Sequence, residues 1–266
     1  MISFSIIIIN FKTKELTRKC LDFIFKVFKN ESFEIILIDN NSQDQSVGYF
    51  KIFFGNKIKI IENAENYGFG RANNQAAEQA TGDLLFFLNS DTLIDKNIWP
   101  AVCDFFAKEK NLGILAPQLI LPDGSPQPFA YGRFLNLTGL FCPRQIIRAM
   151  PSKPFSVDWV SGAAFFIRRE LFERLGGFDE KFFMYFEDMD LCKRAKESGY
   201  EIKVLPGIEV THLVGASGEG KSKQKKDYYD SQNYFFRKHY GVAAEIALKL
   251  FRWPYRIIRA QFFSRD

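Results

Sequence analysis

The chain has 266 residues, of which 47% are hydrophobic and 25% are charged, and its formal net charge is +5. This composition is typical of a globular protein with one large α/β domain or two small ones, and it excludes a largely disordered chain. The basic excess lies in residues 237–266, a basic tail on a neutral body. We expect no nucleic-acid partner, because such a protein would spread basic residues over a working face.

The four cysteines contain no CxxC pair, so the sequence suggests neither a zinc cage nor a disulfide framework. The opening apolar run, residues 4–9, is too short to span a bilayer and follows no basic stretch of the kind that begins a secretory signal. We therefore expect a cytoplasmic protein.

Apolar runs alternate with helical patterns through the first half of the chain. Four of these runs are continuous rather than alternating, which indicates parallel strands covered on both faces; they span residues 5–9, 34–38, 58–61 and 84–88. Between them, an amphipathic segment capped by Thr13 and a stretch near residues 71–79 predict helices.

After Trp99 the pattern becomes mixed. Residues 118–126 predict a short hairpin with its turn at 122–124, and residues 160–167 predict one strand. Further helices are predicted at 170–175 and 188–198. Residues 215–226 are almost without apolar side chains and predict a mobile loop.

Polar residues follow each of the four early strands directly. Ligands of parallel α/β sheets bind outside the carboxyl ends of the strands, so these Asn and Asp residues can bind a sugar, a base and one hard cation. They are Asn10, the turn 39–41, the segment 65–68 and the turn 89–91. The alternative is that they are ordinary turn and cap residues. That alternative weighs equally for Asn10 and less for Asp91, where a carboxylate can bind Mg²⁺ or Mn²⁺ together with substrate phosphates.

A second acidic group, Glu187, Asp188 and Asp190, begins a helix after an aromatic-rich stretch. The helix dipole stabilises ionised carboxylates and aromatic rings exclude water, a combination suited to a general base. The alternative is simple complementation of the helix dipole. No GxGxxG or GxxxxGK[ST] motif is present, which argues against a dinucleotide fold and a P-loop.

Several strings together closely resemble the family 2 inverting glycosyltransferases, especially their rhamnosyltransferase-like branch. The similar strings include EIILIDNNSQDQS, ENAENYGFGRANNQA, GDLLFFLNSDT and GGFDEKFFMYFEDMDLCKRA, and the resemblance covers roughly residues 3–215. It implies a glycosyltransferase A fold, in which a mixed central sheet has a parallel nucleotide-binding half and helices on both faces. The implied catalytic domain is 1–215, with nucleotide-binding residues to about 95 and acceptor-binding residues from about 96. A mobile loop, 216–226, and a basic amphipathic helical segment, 227–266, follow.

The resemblance also implies roles for individual residues. Asp188 matches the catalytic base, and Asp91 with His212 matches the site of Mg²⁺ or Mn²⁺. The expected donor-binding residues are Asn10, Asp39, Asn66, Asn73, Asn74, Asn89 and Asp91. The expected acceptor-binding residues are Glu187 and Trp159. Asn89 replaces the first acid of the family's Asp-x-Asp, so the site loses one negative charge.

The expected reaction moves a sugar from a nucleoside diphosphate donor to a saccharide or a lipid-linked saccharide, with rhamnose from dTDP-rhamnose favoured. A UDP-sugar donor, a non-catalytic sugar-nucleotide-binding homologue and a nucleotidyltransferase are the alternatives. In the tail, residues 242–263 carry basic side chains along one stripe, at Lys249, Arg252, Arg256 and Arg259. This segment is predicted to lie on the inner membrane surface or to pack on protein, with a kink at Pro254.

Overall fold

The computed structural model describes residues 2–134, 151–213 and 221–262, including, in the last range, the side chains of residues 222–252. The strands are β1 (Phe4–Asn10), β2 (Phe33–Asp39), β3 (Lys59–Glu62), β4 (Leu84–Leu88), β5 (Thr92–Leu93), β6 (Leu112–Ile120), β7 (Tyr131–Gly132), β8 (Phe155–Ser156), β9 (Trp159–Val160), β10 (Ala164–Arg168) and β11 (Glu201–His212). The helices are α1 (Lys14–Val27), α2 (Ser46–Phe54), α3 (Gly68–Ala77), α4 (Trp99–Lys108), α5 (Arg169–Arg174), α6 (Glu187–Glu197), α7 (Lys221–Tyr240) and α8 (Val242–Phe262).

Within these ranges a nine-stranded sheet has the order β3-β2-β1-β4-β10-β6-β11-β5, with β8 paired to β11. Strands β1 to β4 pair in parallel, and β10 runs antiparallel between β4 and β6. The predicted mixed sheet with a parallel first half is therefore confirmed. The parallel half places the ends of β1, β2 and β4 at one edge.

Helices cover both faces of the sheet, as the continuous apolar strands require. In β1, Ile6 and Ile8 pack on the face covered by α1, α2 and α4, whereas Ile7 packs on the opposite face with α3, α5 and α6. All of β4 and all of β1 except the half-buried Ile9 are buried, so neither face of these two strands is exposed to solvent. A third apolar cluster joins α7 and α8 to the segment that precedes α6.

Three local expectations are wrong. The predicted strand 160–167 is two strands, because the turn 161–163 pairs elsewhere: Ser161 N donates to Ala130 O, and Ala163 O accepts from Asn89 N. Thr13 precedes α1 but makes no capping bond with its hydroxyl, which is engaged with Asn10 and Ser90.

The predicted mobile loop is wrong from residue 221 onward, because α7 begins at Lys221. Lys and Gln have high helix propensity, so a lack of apolar residues does not prevent a helix there. Residues 215–220 of that prediction lie outside the described ranges. Helix α8 continues through Pro254 to Phe262.

Candidate active site

Asn10, at the end of β1, is fully buried and hydrogen-bonded on both sides of its amide. It bonds Asp39, Ser42, Ser46, Thr13 and Thr17. The amide nitrogen lies 2.6 Å from Asp39 Oδ2, so Asn10 fixes the carboxylate that ends the neighbouring strand. In this structure Asn10 supports Asp39, and its direct contact with a donor stays a prediction.

Asp39 is 5% exposed and is held by three donors. These donors are Asn10 Nδ2, Ser46 Oγ and Ser42 N. The bond from Ser42 N fixes the turn after β2, so the orientation of the carboxylate is set before any ligand arrives. A preorganised acceptor of this kind suits recognition of a planar N–H group such as that of a pyrimidine base.

Asn40 belongs to the predicted turn 39–41 but was given no role of its own, and it fastens the loop 63–68 to the end of β2. Its Nδ2 donates to Asn66 Oδ1 at 2.8 Å and to Gly68 O, while its Oδ1 accepts from Asn63 Nδ2 and Tyr67 N. Asn66 thereby lies beside the turn that follows β2, and its contact with a donor stays a prediction. The only signal in the sequence is the Asp-Asn-Asn turn after β2. In the structure the side chains of Asp39 and Asn40 are both buried.

The two adjacent asparagines of α3 have different surroundings. Asn74 Nδ2 donates to Phe178 O, and its Oδ1 accepts from Phe178 N, so this amide joins α3 to the loop before α6. Asn73 is buried, and its amide donates to Phe69 O one turn earlier. Of the two, Asn74 is the residue whose side chain connects α3 to the chain that leads to Asp188.

Asp91 and His212 come together although 121 residues separate them. The short strand β5 pairs antiparallel with the end of β11, which places His212 opposite Thr92. Asp91 Oδ1 then lies 3.1 Å from His212 Nε2, and His212 Nδ1 lies 2.8 Å from Gln127 Oε1. Gln127 was not predicted, because nothing in its local sequence marks it.

This arrangement fits a divalent cation that is completed by substrate. In the tautomer whose Nδ1–H donates to Gln127 Oε1, the lone pair of His212 Nε2 faces the Asp91 carboxylate, so a cation can bind between the two groups. No cluster of three or more His, Cys, Asp or Glu side chains suited to an ion occurs in the described parts of the chain. Two protein ligands plus phosphate oxygens are a usual arrangement for Mg²⁺. The half-buried Asn89 lies next to this pair.

Asp188 lies in the first turn of α6 and is half-buried. Its Oδ2 accepts from Gly162 N at 2.8 Å, and its Oδ1 accepts from Met189 N at 2.7 Å. Burial raises the pKa of the Asp188 carboxyl above its ordinary value, although the two amide donors lower it. Each oxygen keeps a further lone pair, so Asp188 is a suitable proton acceptor.

The neighbouring acids differ from Asp188. Glu187 is 5% exposed and its Oε2 has no hydrogen-bond partner within the described ranges. Burial, and then the Asp188 charge, raise the pKa of Glu187 well above its ordinary value. Asp190 is fully buried with cationic partners on two helices, Arg194 on α6 and Lys238 on α7. Burial raises the pKa of Asp190, but the hydrogen bond from His239 and these charges lower it to about 2.

The turn 161–163 joins the two parts of the site. Asn89 N donates to Ala163 O, and Gly162 N donates to Asp188, so the turn contacts both the end of β4 and the first turn of α6. A Cβ on Gly162 would lie 3.1 Å from the Phe69 ring and 3.6 Å from Asp188 Cβ, so glycine permits this close approach. The half-buried Trp159 precedes the turn and donates from Nε1 to Arg133 O.

The mixed sheet, with acidic and amide side chains at the carboxyl ends of its parallel strands, defines an α/β protein of the class whose ligands bind outside those strand ends. Solved structures share this fold. GalNAc-T7 with UDP, GalNAc and Mn²⁺ aligns over 89% of this chain and 50% of its own, with a TM-score of 0.64 and 18% identity. S. aureus TarS 1–349 in complex with UDP-GlcNAc aligns over 87% of this chain and 65% of its own, with a TM-score of 0.64 and 19% identity. The fold is glycosyltransferase A.

The sequence profile of glycosyl transferase family 2 matches residues 5–176, and the profile "N-terminal domain of galactosyltransferase" matches residues 146–215. The chain belongs to glycosyltransferase family 2. It is 28% identical to the O-antigen biosynthesis protein RfbC of Myxococcus xanthus, over 84% of this chain and 18% of that protein. It is 30% identical to the N-acetylglucosaminyl-diphospho-decaprenol L-rhamnosyltransferase of Mycobacterium tuberculosis, over 67% of this chain and 66% of that protein.

The helices in the described ranges include none with the length and apolar character needed to cross a membrane.

Proposed function

We propose that this chain is an inverting glycosyltransferase that moves a sugar from a nucleoside diphosphate donor to a hydroxyl of a saccharide or lipid-linked saccharide. The observation that carries the proposal is the convergence of two chemistries on the turn 161–163. Asp188 accepts a hydrogen bond from Gly162 N of that turn. The adjacent Ala163 O accepts from Asn89 N, at the end of β4 that leads to Asp91. A base and a diphosphate site are thus held together.

In the proposed reaction, the acceptor oxygen forms a bond to the anomeric carbon while the bond from that carbon to the diphosphate oxygen breaks on the opposite face. Asp188 takes the proton of the acceptor hydroxyl, a contribution of roughly 10²–10⁴ in rate for a positioned base. Asp39 and Asn66 hold the nucleotide in the fixed orientation that their hydrogen bonds provide. A single displacement inverts the configuration at the anomeric carbon.

Asp91 and His212 would hold Mg²⁺ or Mn²⁺, with Gln127 orienting the imidazole. When bound, the cation supplies neutralisation of charge on the departing diphosphate. Because Asn89 contributes no charge, we expect the cation to bind mainly together with the donor. The structural relatives crystallised with Mn²⁺ support this assignment.

Rhamnose from dTDP-rhamnose is the proposed donor sugar. The support for rhamnose comes from relatives named as rhamnosyltransferases, including the mycobacterial enzyme and WbbL of Escherichia coli, which is 27% identical over 56% of this chain. A UDP-sugar is the alternative, because Asp39 and its partners suit any pyrimidine base.

Thermal unfolding with a panel of nucleotide sugars and Mn²⁺ tests the donor assignment. A ligand at 100 times its dissociation constant stabilises a protein by about 2.7 kcal/mol, so the true donor should raise Tm by several degrees. Product analysis with the best donor should then give free nucleoside diphosphate. Release of pyrophosphate would indicate a nucleotidyltransferase, and donor binding without any turnover on glycan or lipid-linked acceptors would indicate a non-catalytic homologue.

We further propose that α8 contacts the surface of an anionic membrane, the place of a lipid-linked acceptor. The helix has two faces. Ala244 and Leu248 are buried against α7. Val242, Ile246 and Leu250, at spacings of four, are 52%, 53% and 66% exposed. Beside this apolar stripe, Lys249 is half-exposed, and the sequence adds Arg256 and Arg259.

Each basic residue near an anionic leaflet contributes about 1 kcal/mol to binding, so the helix can attach reversibly. Co-sedimentation of the full chain with anionic vesicles should fall strongly in Ile246→Glu and Leu250→Glu, whereas neutral vesicles should bind little of any variant. The exposed Asp230→Ala on α7 is the control and should bind as wild type does. Equal sedimentation of all variants would overturn the proposal, and loss of a dimer in the glutamate variants would assign the face to self-association.

A further inference from the structure

The segment that presents the base is strained. Tyr185 and Phe186, the two residues directly before Glu187 and Asp188, have φ values of 70° and 68°. L-residues other than glycine are disfavoured in this left-handed region, and bulky aromatic residues are rare there. Such a conformation persists only where surrounding structure holds it. Two consecutive residues of this kind therefore require an external support.

Helix α7 contacts the strained turn directly. Ser231 Oγ donates at 2.8 Å to Met184 O, the carbonyl that immediately precedes Tyr185. The ring of Phe235 packs 5.6 Å from that of Phe186. Ser231 and Phe235 are both buried. The hydrogen bond thus holds the carbonyl just before the Tyr185–Phe186 turn, and the aromatic contact holds its second residue.

The same face of α7 also anchors the chain on both sides of the turn. Before it, Asp179 accepts from Tyr234 Oη at 2.9 Å. After it, His239 Nε2 donates at 2.7 Å to Asp190, two residues beyond the base. Lys238 bonds both carboxylates, Asp179 and Asp190.

Ordinary packing of α7 would need only its apolar residues. In addition, polar side chains of α7 form hydrogen bonds with residues 179 and 190 and with Met184 beside the strained turn. The α7 positions that form these bonds share one helical face, at 231, 234, 238 and 239. Neither family profile reaches α7, because the matches end at residues 176 and 215. The α7 side of these contacts therefore lies outside the residues that the two profiles match.

We propose that Ser231 and His239 are positioning residues that hold the Tyr185–Phe186 turn and so fix the direction of the Asp188 carboxylate. This inference rests on the proposed function, in which Asp188 is the base. Neither side chain bonds the base itself. They act through Met184 and Asp190, the residues that flank the turn and the first turn of α6.

The test uses Ser231→Ala and His239→Gln in the full chain. A misplacement of about 1 Å can cost up to about a hundredfold in rate, so kcat should fall about tenfold or more in each variant. The donor dissociation constant should stay within about twofold, because the donor residues are on other elements. Asp230→Ala, at the exposed neighbour of Ser231, should change neither quantity. Ile24→Val in α1 supplies a core variant of lowered Tm for comparison.

A fall in kcat with unchanged donor affinity, absent from Ile24→Val at matched loss of Tm, supports the positioning role. Unchanged kcat in both variants, or parallel losses of kcat and donor affinity like those of Ile24→Val, overturns it. Amide hydrogen exchange over residues 184–190 is read in the same samples and does not depend on activity. Faster exchange in both variants supports the inference even where the wild type fails to transfer sugar, and unchanged exchange overturns it.

Discussion

The donor edge, at the ends of β1 and β2, and the base-bearing segment, residues 184–190, differ in how their polar groups are satisfied. At the donor edge, both ends of the Asn10 amide are hydrogen-bonded and Asp39 accepts from three donors. In the base-bearing segment, Glu187 Oε2 has no hydrogen-bond partner within the described ranges, and Tyr185 and Phe186 have strained backbone angles. The donor edge is built from parallel strands whose ends are fixed by the sheet. The base-bearing segment is irregular chain held from outside by α7. Satisfied polar groups favour rigid recognition, and burial with strain favours a reactive carboxyl. The two regions should therefore respond differently to mutation.

The largest expected effect separates chemistry from binding. Asp188→Asn keeps the shape of the side chain but cannot take a proton, so kcat should fall by about 10²–10⁴. Donor affinity should be nearly unchanged, because the donor edge does not include Asp188. Calorimetric titration with the donor alongside turnover measures both. A variant with near-wild-type turnover would remove Asp188 from the mechanism.

The next effect concerns the stability of the donor edge. Asn10→Ala removes the hydrogen bonds of a fully buried amide and leaves several partners unsatisfied. We expect a loss of about 3 kcal/mol in the free energy of unfolding, measured by urea titration. Asn56→Ala, at an exposed asparagine, is the matched control and should change stability by less than about 0.5 kcal/mol. Equal stability of both variants would refute the supporting role of Asn10.

A smaller effect tests the metal assignment through Gln127, whose side-chain amide contacts the His212 ring. Gln127→Ala should weaken Mn²⁺ binding in the presence of donor by about 10–100-fold, because it frees the His212 ring. The exposed Gln79→Ala should leave Mn²⁺ affinity unchanged. Full activity of the wild type in excess chelator would contradict a role for the cation.

The smallest effects have opposite signs at two neighbouring acids. The folded-state pKa of Asp190 is lowered to about 2, so its stabilisation of about 2 kcal/mol is present above the ordinary pKa of 3.8 and is lost as pH falls toward 2. The raised pKa of Glu187 means that its ionisation destabilises the fold as pH rises through the interval above its ordinary value. At neutral pH, Asp190→Asn should lower Tm and Glu187→Gln should raise it. A change of Tm in the same direction in both variants would contradict the opposite roles assigned to Asp190 and Glu187.

The sequence predicts the parallel half of the fold well, because continuous apolar runs such as 84–88 fit only strands buried on both faces. It also predicts that Asn10, Asp39 and Asp91 lie at one edge of the sheet, since each follows one of the parallel strands. Contacts that depend on distant partners are not predictable in this way. Gln127 and His239 have no local signal, and the approach of His212 to Asp91 depends on the two-residue strand β5. The sequence predicts α7 only from residue 227, whereas the helix begins at Lys221. Its contacts with residues 179–190 are distant in sequence and have no local signal.

The central claim is that the two regions cooperate in one inverting displacement. Its most direct test is proton NMR of the reaction of the wild-type chain with dTDP-rhamnose, Mn²⁺ and a saccharide or lipid-linked acceptor. We predict free nucleoside diphosphate in equal amount to a glycoside whose anomeric configuration is opposite to that of the donor. A product with the donor's configuration would contradict the single displacement assigned to Asp188.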